Sequence, residues 1–92
     1  MLKLETTARF RKDLKLMKKQ GKDISLLREI IRKLQNQERL DPKYRDHPLK
    51  GNYIRCRECH IDPDWLFIYS IDKGKLILTA SRTGSHSDLL KK

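Results

Sequence analysis

The second half of the chain contains three short runs typical of β-strands, and tight-turn signals separate them. The runs cover residues 53–60, 64–71 and 76–82, with Ile-Asp-Pro at 61–63 and Asp-Lys-Gly at 72–74 between them. Connections this short can join only antiparallel neighbours, because parallel strands need a long crossover. The pattern therefore predicts an antiparallel sheet, and a sheet with apolar residues must be covered by another layer.

The first half of the chain supplies two amphipathic helices that could cover this sheet. Residues 2–7 alternate like a short strand, and Thr6 or Thr7 then offers an N-cap for a helix that runs to about Gln20. Gly21 suits the C-terminal cap of that helix, and Asp23 suits the N-cap of the next. Apolar residues recur at helical spacing in both segments: Phe10, Leu14 and Met17, then Ile24, Leu27, Ile31 and Leu34. The prediction is one α+β domain over residues 1–92, ordered β-α-α-β-β-β, with a two-helix hairpin on one face of the sheet.

The charge balance restricts the class of partner. Lys and Arg number 22 against 12 Asp and Glu, which gives a net charge of +10. Such an excess indicates nucleic acid, an acidic protein or a membrane surface, although solubility alone also explains a basic chain. No apolar run approaches the roughly 18 residues of a membrane-spanning helix. The first ten residues carry charges where a signal peptide would be apolar, so we expect a cytoplasmic protein with reduced cysteines and no membrane partner.

Cys56, Cys59 and His60 have the Cys-x-x-Cys-His spacing that attaches c-type haem. Side chains alternate along a strand, so two cysteines three positions apart point to opposite faces. That geometry disfavours a shared haem or a dithiol, and a zinc site would need two further ligands at close spacing. The spacing is therefore interpreted as two structural cysteines, and neither a metal nor a cofactor is expected.

The histidines His47, His60 and His86 all lie in the second half. If residues 61–63 form the hairpin loop, His60 and Asp64 face each other across two antiparallel strands. A neighbouring carboxylate fixes the tautomer of an imidazole, as general acid–base catalysis requires. A structural role for each histidine is the alternative.

The same strand pairing predicts two unlike faces. One face carries Tyr53, Arg55, Arg57, Trp65, Phe67 and Tyr69, and the other carries Ile54, Cys56, Leu66 and Ile68. We expect the second set to lie under the helices. Arginines interleaved with aromatics suit phosphate contact and base stacking, or else packing against a partner. Strict alternation also places His60 and Asp64 under the helices, so a twist or bulge would be needed to expose them.

Histidines, a carboxylate and arginines on a basic surface favour cleavage of RNA by its own 2′-hydroxyl. A base removes the 2′ proton, the oxygen attacks the adjacent phosphate, and an acid protonates the departing 5′ oxygen. Arginine stabilises the charge that develops on phosphorus. The products are a 2′,3′-cyclic phosphate and a 5′-hydroxyl, and no divalent ion is needed.

Three blocks carry a family resemblance. They are YRDHPLKG at 44–51, ECHIDPDWLFIY at 58–69 and SRTGSHSDLL at 81–90, and together they resemble the YafQ branch of the RelE/ParE toxin superfamily. The resemblance implies a RelE-like fold and a bacterial type II toxin that cleaves mRNA, commonly on the ribosome. It also implies an acidic antitoxin of the DinJ type, usually in a heterotetramer, with operator DNA bound only through the antitoxin complex.

The resemblance also implies roles for individual residues, while leaving open which histidine is base and which is acid. The implied catalytic residues are His47, His60, Asp64 and His86. The implied RNA or phosphate contacts are Arg57, Arg82, Trp65 and Leu90, the last of which stands where relatives usually carry Phe. Two alternatives are a ParE-like gyrase poison of the same fold and a non-catalytic nucleic-acid-binding or co-repressor module.

Overall fold

In the computed structural model, which describes residues 1–89, a five-stranded sheet carries two long helices across one face. Two 3-10 turns, Pro42–Tyr44 and Gly51–Tyr53, flank the second strand. The helices and strands in chain order are β1 (Lys3–Thr6), α1 (Ala8–Lys19), α2 (Ile24–Gln35), β2 (His47–Pro48), β3 (Arg57–Asp62), β4 (Trp65–Asp72), β5 (Ile77–Gly84) and α3 (His86–Leu89).

The two long helices begin and end where their capping residues predict. The hydroxyl of Thr7 accepts a hydrogen bond from the Phe10 amide at 3.0 Å, and the Asp23 carboxylate accepts one from the Ser25 amide at 3.0 Å. Gly21 follows α1 with a φ of +81°, a conformation that glycine adopts without the strain of a side chain. Within residues 1–89, none of the helices is long and apolar enough to cross a membrane.

The strand order is β1-β5-β4-β3-β2, and every pair is antiparallel except β1 with β5. The predicted α+β fold with a helical hairpin on one face is confirmed, but the sheet is mixed rather than wholly antiparallel. The parallel pair consists of β1, which comes first in the chain, and β5, the last strand, beside which it lies in the sheet. The two-residue strand β2 was not predicted. Residues 53–56, expected to extend β3, instead form the end of a 3-10 turn and a loop.

The assignment of the two sheet faces was wrong. Trp65, Phe67 and Tyr69 lie under the helices, in the same core as Phe10 and Leu27. Leu66 and Ile68 lie on the opposite face, which we call the open face, where they pack against Leu89. The prediction failed because β4 is apolar on both sides, so its alternation contains no information about which side the helices cover.

The two cysteines lie on opposite faces, as predicted. Cys59 is fully buried in the core beneath the helices, whereas Cys56 packs against the smaller cluster on the open face. Both are free thiols. Burial raises the pKa of Cys59 to about 12, so its thiol stays protonated at neutral pH.

Candidate active site

Three imidazoles and one buried carboxylate meet on the open face of the sheet. We call this group the histidine cluster: His47 from β2, Glu58 and His60 from β3, and His86 at the start of α3. The ring centroids of His47 and His60 are 6.2 Å apart, and those of His60 and His86 are 6.4 Å apart. Glu58 and His60 are two positions apart on one strand and therefore share a face.

Glu58 lies between two of the imidazoles. Its Oε1 atom is 3.1 Å from Nε2 of His60 and 3.5 Å from Nε2 of His47. The residue is only 2% exposed, and its Oε2 atom has no hydrogen-bond partner within residues 1–89. An ionised carboxylate can only accept, so His60 carries a proton on Nε2 when it donates to Glu58. The carboxylate thus fixes the orientation and the tautomer of His60.

His47 is held from its other side by the backbone. Its Nδ1 atom lies 2.6 Å from the Arg45 carbonyl, which can only accept, so this nitrogen carries a proton. The side chain of His47 is 47% exposed, that of His60 is 17% exposed, and His86 is exposed as well. All three imidazoles are therefore open to a substrate, whereas their carboxylate partner is not.

The predicted pairing of His60 with Asp64 is wrong. His60 lies opposite Leu66 because β3 continues to Asp62 and the turn occupies residues 63–64. A register shift between His60 and Asp62 then places Asp62 opposite Trp65. Asp64 is placed in the exposed turn, where its amide donates to the Asp62 carboxylate at 2.9 Å. The predicted bulge is present, but the carboxylate beside His60 belongs to Glu58.

The two candidate phosphate-binding arginines each contact a carboxylate of the protein. Arg57 donates from Nε to Asp46 at 3.1 Å. Arg82 donates from Nε and Nη2 to both oxygens of Asp13, at 2.7 and 3.1 Å, and its side chain is 16% exposed. The hydrogen bond to Asp13 raises the pKa of Arg82 above its ordinary value. Both cations are consequently tied to a carboxylate, although the Arg57 side chain is still 43% exposed.

Trp65 does not occupy the position expected of a base-stacking residue. It is 1% exposed, it faces the helices, and its indole nitrogen donates to the Thr83 hydroxyl at 2.9 Å. The ring is enclosed by the core and cannot stack on a nucleotide in this conformation, so its predicted role in RNA contact is wrong. Leu90, the other predicted substrate contact, lies outside the described residues.

A groove of about 550 Å³ runs beside His60 along the edge of the sheet. Its lining includes the cations Lys43 and Arg45, from the segment that leads into β2, and Asp62 from the end of β3. A polyanion lying in this groove would contact two cations as well as the imidazole.

Glu58 is the site residue that sequence reasoning missed, although a signal was present. Glu58 precedes His60 by two positions, and any strand assignment places such a pair on one face. The contacts of Asp46 had no comparable signal, because its hydrogen-bond partners, Arg57 and Tyr69, lie 11 and 23 positions further along the chain.

Comparison with known proteins identifies the family. A family model described as "Bacterial toxin of type II toxin-antitoxin system, YafQ" matches residues 2–91. The chain is 38% identical over 88 residues to the mRNA interferase toxin YafQ of Escherichia coli K12, covering 94% of this chain and 92% of that protein.

Solved structures agree with this match. A metal-bound toxin from Helicobacter pylori superposes with a TM-score of 0.92 at 47% identity, over 98% of this chain and 100% of that one. The toxin in the E. coli DinJ–YafQ complex superposes with a TM-score of 0.88 at 34% identity, over 98% and 99% of the two chains. The chain thus belongs to the YafQ family of bacterial type II toxin–antitoxin toxins.

Proposed function

We propose that this toxin is an endoribonuclease that cleaves mRNA and so inhibits translation and growth. The observation that carries the proposal is the histidine cluster, in which three accessible imidazoles lie side by side and two of them contact one buried carboxylate. The E. coli relative is named an mRNA interferase toxin, which supports the same substrate class. The net charge of +10 suits a polyanionic substrate.

The proposed reaction uses two imidazoles for two proton transfers. One removes the proton of the 2′-hydroxyl, whose oxygen then forms a bond to the adjacent phosphorus. The bond from phosphorus to the 5′ oxygen breaks, and the second imidazole protonates that oxygen. His60 and His86 are the pair we assign to these steps, because the first is oriented by Glu58 and the second is exposed beside it at 6.4 Å.

The other residues near the cluster have supporting roles in this proposal. His47 assists by placing an additional imidazole beside Glu58. Lys43 and Arg45 guide the RNA backbone along the groove, and Arg82 contacts the phosphate from its fixed place beside Asp13. We keep Asp64 as a proposed catalytic residue and Leu90 as a proposed RNA contact, and mutation has to test both.

We also propose that the reaction needs no metal ion, because imidazoles can supply both proton transfers. The related Helicobacter pylori toxin is described as metal-bound, which makes this point worth a direct test. Cleavage by protein treated with a chelator is expected to proceed at the untreated rate. A loss of cleavage that added Zn²⁺ or Cu²⁺ restores would contradict metal independence.

The proposed partner is an acidic, DinJ-like antitoxin in a hetero-oligomer, most simply a heterotetramer. The structure of the E. coli DinJ–YafQ complex supports this class of partner. An acidic, partly disordered chain could wrap the basic helices and order as it binds. We further propose that the toxin acts in the bacterial cytoplasm, meets mRNA on the ribosome, and contacts operator DNA only through its antitoxin.

The test is to map transcript ends after brief induction of the toxin, in wild type and in His86→Ala. Wild type is expected to arrest growth and to leave 2′,3′-cyclic phosphate and 5′-hydroxyl ends. His86→Ala is expected to do neither, while still folding and binding the antitoxin. DNA damage without new transcript ends would instead indicate a gyrase poison. Full toxicity of both His86→Ala and His60→Ala would refute the nuclease proposal.

A further inference from the structure

A second polar cluster lies on the opposite side of the strand that carries His47. Asp46 precedes His47, and its Oδ1 atom accepts hydrogen bonds from the Tyr69 hydroxyl at 2.6 Å and from Nε of Arg57 at 3.1 Å. Nη2 of Arg57 also lies 3.5 Å from the Asp46 carbonyl. We call these three residues the Asp46 clamp.

The clamp is built on a rigid part of the molecule. Tyr69 is 1% exposed, and its ring stacks on Phe67 with centroids 5.4 Å apart. Burial, together with the hydrogen bond to Asp46, raises the pKa of Tyr69, so the hydroxyl keeps its proton and donates it to the carboxylate. The core of the sheet thereby fixes the position of an otherwise exposed loop.

The strand that holds His47 is short, and beyond it the pairing continues through one hydrogen bond, from the Leu49 amide to the Cys56 carbonyl at 2.9 Å. β2 contains two residues, which pair only with Glu58 and Arg57 of β3. Side chains alternate across this short pairing, so Asp46 meets Arg57 and Tyr69 on one side while His47 meets Glu58 on the other. A two-residue ladder constrains the position of β2 only weakly, and the Asp46 clamp adds a second constraint on the other side of the strand.

We infer that Asp46 is a positioning residue, which Tyr69 and Arg57 hold so that His47 stays beside Glu58 in the histidine cluster. Arg57 therefore acts through Asp46 and not as a direct phosphate ligand. This role presupposes the ribonuclease activity proposed above, since a positioned imidazole affects the rate only when the cluster is catalytic. Misplacing a catalytic group by about 1 Å can reduce the rate about a hundredfold.

The least disruptive test is Tyr69→Phe, which removes the hydroxyl and leaves the buried ring. We expect kcat for RNA cleavage to fall by about tenfold to a hundredfold, with little change in KM, because His47 loses its position. Asp46→Asn keeps an acceptor for Tyr69 but loses the charge that pairs with Arg57. Its kcat is therefore expected to fall less than that of Asp46→Ala. The matched control is Asp72→Asn, because Asp72 is likewise an aspartate that accepts a hydrogen bond, here from the Lys75 amide at 3.0 Å, but it lies at the end of β4 and outside both clusters.

A double-mutant cycle distinguishes an effect that acts through His47 from a loss of activity caused by a general disturbance of the fold. In a His47→Ala background, Tyr69→Phe is expected to cause no further loss of kcat, because the clamp acts through the missing imidazole. Equal losses in both backgrounds would overturn the inference, as would an unchanged kcat for Tyr69→Phe in the wild-type background.

NMR of the imidazole resonances gives a readout that does not depend on cleavage. Tyr69→Phe is expected to shift the resonances of His47 and to leave those of His86 in place. Unchanged His47 resonances would overturn the inference that the Asp46 clamp positions His47, even if the toxin cleaves RNA. If wild-type protein proves unable to cleave RNA, the proposed function fails, and the NMR shifts still report whether the clamp holds His47.

Discussion

The two faces of the same sheet carry opposite kinds of residue. Beneath the helices, Trp65, Phe67 and Tyr69 project from β4 into an apolar core in which each is at most 1% exposed. On the open face, β3 contributes Glu58 and His60 to a polar cluster that rests on the small apolar group around Leu66. The strand β3 therefore supplies packing on one side, through Cys59 and Ile61, and chemistry on the other.

The contrast between the faces shows how one small domain can hold a reactive site. A buried carboxylate and three imidazoles contribute little packing, so the stability must come from the covered face. Substitutions among the apolar residues of the covered face should change the free energy of unfolding, whereas those in the histidine cluster, and in the Asp46 clamp that positions it, should change the rate of cleavage. The following predictions test that separation.

The largest effect on stability is expected from Phe67→Ala. Phe67 is fully buried and packs edge-on against Phe10, with ring centroids 5.9 Å apart. Truncation of a buried phenylalanine costs about 3–5 kcal/mol, a large share of the stability of a small domain. Urea denaturation monitored by circular dichroism measures this loss. A loss below about 1 kcal/mol would show that the covered face is not the source of stability.

The largest effect on activity is expected from His60→Ala. Loss of a general acid or base typically lowers the rate by about 10² to 10⁴-fold. Cleavage of a short RNA by purified protein measures the loss. The urea midpoint should fall much less than in Phe67→Ala, because the ring lies outside the core and only its hydrogen bond to Glu58 is lost. A variant that cleaves normally but unfolds easily would reverse the assignment of the two faces.

Glu58→Gln tests the charge of the buried carboxylate alone, because it keeps the shape of the side chain and removes its charge. Cleavage is expected to fall by about tenfold, since groups that orient a functional imidazole commonly contribute that much. The free energy of unfolding should stay equal or rise, because a neutral amide costs less to bury than a carboxylate with an unpaired oxygen. A strongly destabilised but fully active variant would contradict the role given to Glu58.

The smallest effect is a difference in thiol reactivity between the two faces. Because burial raises the pKa of Cys59 to about 12, its reactive thiolate is scarce at pH 8. Iodoacetamide should therefore label Cys56 first, and Cys59 should react only as the pH rises toward 12 or after unfolding. Mass spectrometry of the digested protein measures the order. Labelling of Cys59 first in folded protein would show that the covered face opens readily.

Local sequence signals were sufficient for the helices. Capping by Thr7 and Asp23 depends only on residues within three positions, and the apolar stripes have a clear helical period. Three strands and both of their turns could be located for the same reason, although β3 begins four residues later than expected.

Features that depend on distant contacts could not be read from the chain. The alternation along β4 is consistent with either face being covered, because Leu66 and Phe67 are equally buried. The same distinction applies to the site. Glu58 could have been placed beside His60 from the sequence, because the two are two positions apart on one strand. The pairing of His47 with Glu58 could not, because it depends on how β2 and β3 meet in the fold. Asp64 was misassigned because β3 continues to Asp62 and the turn occupies residues 63–64, so that His60 lies opposite Leu66 and not opposite Asp64.

The most direct test of the account compares cleavage of one RNA with cleavage of the same RNA carrying a single 2′-O-methyl group at the cut nucleotide. The histidine cluster is proposed to act by removing the proton of that 2′-hydroxyl, so methylation should abolish cleavage at this position and leave binding intact. Cleavage of the methylated RNA at an undiminished rate would contradict the account, because the attacking oxygen would then have to come from elsewhere.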